Sequence, residues 1–187
     1  MKDQIGGATA KALLGLLSMK PMSGYDIRQL IPWSIGHFWS ESYGQIYPAL
    51  KQMAAAGLVE RTTERQKSRP DRYVYSLTKE GRRELREWLK LPPEMAVPRN
   101  ELLLKVFFGG QVSPQVSREH VERYRRMQEE ALKVYAATAK RLKREEAGDP
   151  QLPYWLMTLR MGQHHSKAMV TWCRETLREL EKLDRAE

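Results

Sequence analysis

A single cysteine, Cys173, leaves no partner for an intrachain disulfide, and a lone thiol suits a reducing cytoplasm. No apolar run approaches the roughly 18 residues of a membrane-spanning helix. The short run Ala12–Met19 follows Lys2 and Lys11, but no small-residue cleavage site comes after it. Neither a signal peptide nor a membrane partner is expected. The marks of common enzymes are missing too: no glycine-rich phosphate loop, no paired-cysteine metal motif, no Gly-x-Ser-x-Gly elbow. His164 and His165 lie nine and eight residues before Cys173. On a helix that is about two turns or more, too far for a nucleophile–base pair. Catalysis, a metal and a cofactor are therefore not expected.

What the chain does have is positive charge: 32 Lys and Arg against 23 Asp and Glu, net +9, with a pI near 9.7. Residues 1–90 hold fifteen basic and nine acidic side chains, residues 91–187 seventeen and fourteen. The bias therefore sits mainly in the first half. A basic chain without membrane spans points to nucleic acid or an anionic surface, although many ordinary proteins are equally basic.

Patterning divides the chain. Residues 8–19 form an apolar helix buried on more than one side. Ser23 with Asp26 three residues on is a capping-box spacing, so a second helix starts at Gly24, with Tyr25, Ile27, Leu30 and Ile31 toward the core and Pro32 at its end. Ser42 and Gln45 repeat that spacing before a third helix, which carries Ile46, Leu50 and Met53 on one face and stops at Gly57. Two short strands follow, "LVERTTERQ" and "RYVYSL", joined by a turn at "KSRPD". Thr78 caps a fourth helix with Leu85, Trp88 and Leu89 inward. Helix, helix, helix, strand, strand, helix is the order of a winged helix-turn-helix.

"LPPEMAVP", residues 91–98, reads as a linker. Beyond it come a short apolar helix over 99–110, a long one from Ser113-Pro114 to about Glu146, and a last one from about Tyr154 to Leu183. Their narrow apolar stripes resemble coiled-coil seams and cannot enclose a core alone, so a homodimer through this region is expected. The fold class is mainly α: an N-terminal winged helix-turn-helix (1–90) with a two-stranded β wing, the linker, and a C-terminal helical dimerisation domain (99–187).

The third helix opens oddly for a core helix, with Ser42, Tyr43, Gly44, Gln45, Tyr47 and Pro48. A reading helix needs such a start, because its first turn enters the major groove with free N–H groups facing phosphate. Gln45 suits adenine, the Ser42, Tyr43 and Tyr47 hydroxyls suit phosphates or base edges, and Lys51 suits a phosphate. Tyr47 reads equally well as a packing residue. Residues 61–72 hold Arg61, Arg65, Lys67, Arg69 and Arg72 against Glu64 and Asp71, a charge suited to lying along a DNA backbone. The rival to a DNA-binding regulator is a winged-helix adaptor that binds protein only; it would show no salt-sensitive DNA binding.

These stretches resemble a known family. "ALLGLLSMKPMSGYDIRQL", "FWSESYGQIYPALKQMAAAGLVE", "RPDRYVYSLTKEGRRELREWL" and "RNELLLKVFF" are similar, in order, to the PadR family of bacterial transcriptional regulators. The matching motifs are Ser23-Gly24-Tyr25, Gly44-Gln45-Ile46-Tyr47, Gly57-Leu58-Val59 and Leu77-Thr78 with Gly81. The C-terminal helices are similar by pattern to the family's longer dimerisation region. The resemblance implies a homodimeric repressor on an inverted-repeat operator in double-stranded DNA, released by a small molecule. It places DNA contacts on Ser42, Tyr43, Gln45, Tyr47 and Lys51 and on the wing residues Lys67, Arg69 and Arg72. A small aromatic effector could stack on Trp33, Trp39, Trp88, Trp155 or Trp172, each of which reads more simply as a core or interface residue.

Overall fold

The computed structural model describes residues 7–39, 42–64, 72–94 and 99–184, with only the backbone of Tyr43. The chain divides into two compact units, Met1–Met95 and Ala96–Glu187.

In the first unit, α1 (Ala8–Met19) is the central helix. Leu13, Leu14 and Leu17 are fully enclosed, and Ala10 and Leu16 are buried on flanking faces. A two-residue strand, β1 (Met22–Ser23), leads into α2 (Gly24–Leu30). The capping box expected there is formed: Asp26 N–H donates to Ser23 Oγ (3.2 Å), and Ser23 N–H donates to Asp26 Oδ2 (2.9 Å). A 3-10 turn at Ile31–Trp33 carries Pro32 and ends the helix. Next come α3 (Tyr43–Ala55), the hairpin β2 (Val59–Glu64) and β3 (Arg72–Leu77), and α4 (Lys79–Lys90). The sheet order is β1-β3-β2, all antiparallel, with Ser23 opposite Val74 and Arg61 opposite Tyr75.

The mainly helical winged-helix architecture is therefore as expected, with a third strand added. Met22 and Ser23 look like a helix approach in sequence, and their pairing with β3 depends on partners 53 and 51 residues away. Two core assignments fail. Tyr25 is exposed, because Gly24 and Ile27 turn inward on the short α2. Leu89 is exposed as well, the inward side of α4 being Gly81 and Leu85 with half-buried Trp88. Lys11 of α1 lies 5.9 Å from the Trp88 ring centroid, a cation–π contact.

In the second unit, α5 (Glu101–Phe107) and a 3-10 turn (Gly109–Gln111) precede two long antiparallel helices, α6 (Pro114–Glu145) and α7 (Leu152–Asp184). With 32 residues α6 is about 48 Å long. The pair buries Ser117 and Val121 on α6 and Leu159, Ser166, Val170 and Cys173 on α7. Ser166 Oγ donates to Gln128 Oε1 at 2.7 Å, which satisfies a hydroxyl that sequence reasoning leaves out of the stripe. Leu183, near the end of α7, is exposed, and so are Leu103, Leu104, Phe107 and Phe108 of the α5 region.

Candidate nucleic-acid interface

Helix α3 has two unlike faces. Ile46 and Leu50 are fully buried and Met53 nearly so, while Ser42, Gln45 and Lys51 are exposed and Tyr47 is 55% exposed. The helix begins at Tyr43 with Ser42 as N-cap, but the Ser42 side chain makes no capping bond, and the Ser42 carbonyl accepts from Gln45 N–H instead (2.9 Å). The capping box expected here is thus absent. The Gln45 N–H is thus taken up by the backbone, and the Ser42 side chain bonds none of the first-turn N–H groups. Pro48 falls in the second turn rather than the first, so the carbonyl of Gly44 loses the donor it would otherwise have. A methyl at Gly44 would meet only Ser42 Oγ, at 3.8 Å. Packing among the described residues therefore does not require glycine there; close approach of another molecule would.

The far end of α3 is fixed tightly. Gly57, with φ +71°, adopts the left-handed turn; Leu58 N–H bonds the Met53 carbonyl (2.9 Å) and Gly57 N–H the Ala54 carbonyl (3.1 Å). This is a Schellman closure. Thr78 then ties three elements together. Its Oγ1 accepts from Gly81 N–H (3.0 Å) and donates toward the carbonyls of Gly57 (2.8 Å) and Leu58 (3.0 Å). The end of α3, the root of the hairpin and the start of α4 therefore move together.

On the hairpin, Arg61 stacks over Tyr73, its guanidinium carbon 4.5 Å from the ring centroid. Arg61, Thr62, Thr63 and Glu64 are all exposed. Lys67 and Arg69, with Arg65 and the turn itself, lie outside the described residues, as does the side chain of Tyr43. Arg72, at the start of β3, forms an ion pair with Asp26 of α2. Partial burial pushes the Asp26 carboxyl up, but the Ser23 N–H and hydroxyl and the Arg72 guanidinium together hold it below its ordinary range. Sequence reasoning takes Asp26 as a cap only. Its second role depends on a residue 46 positions on, for which no local signal exists.

Elsewhere, Cys173 is fully buried, and burial pushes its thiol up; the neighbouring Arg125 pulls it down less strongly. His164 and His165 are exposed on α7. Among the described residues, no group of three His, Cys, Asp or Glu side chains could hold a metal, and no helix is long and apolar enough to cross a membrane. Of the tryptophans, Trp33 is exposed, and Trp39, Trp88, Trp155 and Trp172 are half-buried.

This geometry has known counterparts. Residues 13–87 match the model of the transcriptional regulator PadR-like family, and residues 98–181 match the virulence activator alpha C-terminal model. The negative transcriptional regulator PadR of Bacillus subtilis is 36% identical over 105 residues, 56% of this chain and 58% of that protein. A probable transcriptional regulator of Mycobacterium tuberculosis is 38% identical over 85 residues, 46% of this chain and 45% of that one. The matched stretches thus span about half the length of these curated relatives. Solved structures cover more. Bacillus subtilis PadR in complex with operator DNA superposes with a TM-score of 0.78 at 27% identity, over 91% of this chain and 97% of that one. The same protein has also been solved in complex with p-coumaric acid (TM-score 0.71, 26% identity, 91% and 97% covered). The Vibrio cholerae virulence activator AphA superposes at 0.73 with 27% identity, over 94% and 99%. The chain thus superposes on solved regulators over nearly its whole length, and its residues 13–87 belong to the PadR-like family of transcriptional regulators.

Proposed function

We propose that this chain binds double-stranded DNA as a homodimer and represses transcription from an inverted-repeat operator until a small aromatic effector releases it. The observation that carries this reading is the division of α3. It buries Ile46, Leu50 and Met53 and leaves Ser42, Gln45, Tyr47 and Lys51 facing outward. The first turn of α3 enters the major groove, where Gln45 pairs with adenine and Ser42, Tyr43 and Tyr47 meet phosphates or base edges. Lys51 takes a phosphate, and Lys67, Arg69 and Arg72 lay the wing along the backbone.

Residues 1–90 form the DNA-binding domain, 91–98 the linker and 99–187 the dimerisation domain. In support, Phe107, Phe108, Met127, Met157 and Met161 are exposed in the second unit, more apolar surface than a lone helical hairpin covers. Operator DNA and p-coumaric acid are ligands of the Bacillus relative, and repression follows that relative's description as a negative regulator.

The test is enrichment of duplexes from a random-sequence pool at low salt, then affinity against salt concentration. Each phosphate contact contributes a slope of about −0.9, so K67A/R69A, which removes two contacts per protomer, flattens the slope by about 3.6 per dimer and weakens all duplexes alike. Gln45→Ala changes the preferred bases. Failure to enrich any duplex, or binding indifferent to salt, overturns the reading in favour of a protein-binding adaptor.

A further inference from the structure

The first turn of α2 touches both elements assigned above to DNA. On one side it receives the reading helix. The ring of Tyr47 lies over Gly24 so closely that a Cβ at residue 24 would sit 2.6 Å from Cε1 and 3.1 Å from Cζ. On the other side it holds the wing. Asp26 accepts from Ser23 N–H and Ser23 Oγ, both at 2.9 Å, and pairs with Arg72 at the turn end of β3. Ser23 is itself buried and stands opposite Val74 in the sheet, two residues from Arg72. Ser23–Asp26 thus joins α3 to the hairpin without belonging to either.

We propose that Gly24 and Asp26 are positioning residues that set the reading helix and the wing relative to each other, Gly24 by seating the Tyr47 ring and Asp26 by holding Arg72. The proposal rests on the DNA-binding reading for its consequence but not for its geometry. Carbon atoms pack at about 3.5–4.0 Å, so a methyl at residue 24 displaces the ring by about 1 Å. Tyr47 is more than half exposed, and its ring can swing outward without opening the core. Alanine is also a better helix former than glycine. Gly24→Ala therefore separates the two roles: the fold keeps its stability while Tyr47 loses its seat. The Asp26–Arg72 pair is more than a third exposed on each side and adds little stability. Its effect is directional, since Arg72 stands opposite Glu64 at the turn end of the ladder and so sets where the two strands enter the turn.

The full chain carries the test, in G24A, Y47A, G24A/Y47A, D26N, D26E, R72A and D26N/R72A. Affinity is read on the duplex that the wild type enriches, and amide exchange on α1, α3 and β3. G24A keeps or raises the thermal midpoint yet binds about tenfold more weakly, and it costs nothing further in the Y47A background. In α3, G24A speeds exchange around Tyr47. D26N speeds exchange over Arg72–Leu77 with α1 unchanged and weakens binding by about threefold to tenfold. D26E restores both, and D26N costs nothing further in the R72A background. G24A that binds like wild type, losses that simply add in either double variant, or unchanged β3 exchange in D26N would each overturn the proposal. If the wild type enriches no duplex, the DNA reading fails while the exchange measurements still decide whether this turn positions α3 and β3.

Discussion

Gly81 and Gly15 offer the same substitution with opposite outcomes. At Gly81, in the first turn of α4, an added Cβ would lie 2.1 Å from the Leu58 carbonyl oxygen and 2.8 Å from Leu77 Cδ1. A carbon–oxygen contact needs about 3.3 Å, so α4 must retreat by about 1.2 Å. That shift draws Gly81 N–H away from Thr78 Oγ1 and Thr78 away from the end of α3. Overpacking costs about 1–3 kcal/mol and a weakened cap about 0.5–2 kcal/mol, against about 1 kcal/mol regained in helix propensity. The net loss runs from about 0.5 to 4 kcal/mol with its centre near about 2 kcal/mol, or about 8–16 °C for a unit of this size. At Gly15, mid-way along α1, an added Cβ meets no heavy atom within 4 Å. G15A therefore gains about 0.5–1 kcal/mol and melts about 3–6 °C higher. Thermal unfolding of the full chain by far-UV circular dichroism, with amide exchange to locate the change in the first unit, reads both. A G81A variant that melts with the wild type, or a G15A variant that melts lower, would refute this account of the junction.

Three other outcomes are expected. Leu50→Ala, at a fully buried position on the inner face of α3, destabilises the first unit by about 2–5 kcal/mol in urea titration, and a loss under 1 kcal/mol would place Leu50 outside the core. Asp26 has its carboxyl lowered in the folded chain, so its contribution is present above the ordinary aspartate range and is lost as pH falls through the folded value. The pair is partly exposed, and that contribution stays below about 1 kcal/mol; D26N should remove it, leaving a flatter acid limb in stability-versus-pH curves. Cys173 is enclosed with its thiol pushed up, so a disulfide reagent at pH 8 should label the native chain slowly and the urea-unfolded chain at once; fast native labelling would contradict its burial.

Much of this was legible because it is local. Periodicity found the inner face of α3, since Ile46, Leu50 and Met53 need only the helical repeat to share a side. Ser23 and Asp26 announced the start of α2 by spacing, and Gly57 the end of α3, because caps are built from neighbours. The same rules misled where a second local solution was available. Ser42 has the spacing of a cap but the backbone of Gln45 turns to its carbonyl, and Tyr25 has helical phase but sits on the outer side of a helix only seven residues long.

The sequence alone therefore determined the order of the main elements, the two-faced third helix and a family resemblance carried by its motifs. Only the tertiary structure decided that Met22–Ser23 is a strand, that Tyr47 lies over Gly24 and that Arg72 belongs to Asp26. The reason is physical. Propensity and capping act between residues a few positions apart, whereas these contacts join residues 23 to 53 positions apart and exist only once the core has brought their elements together.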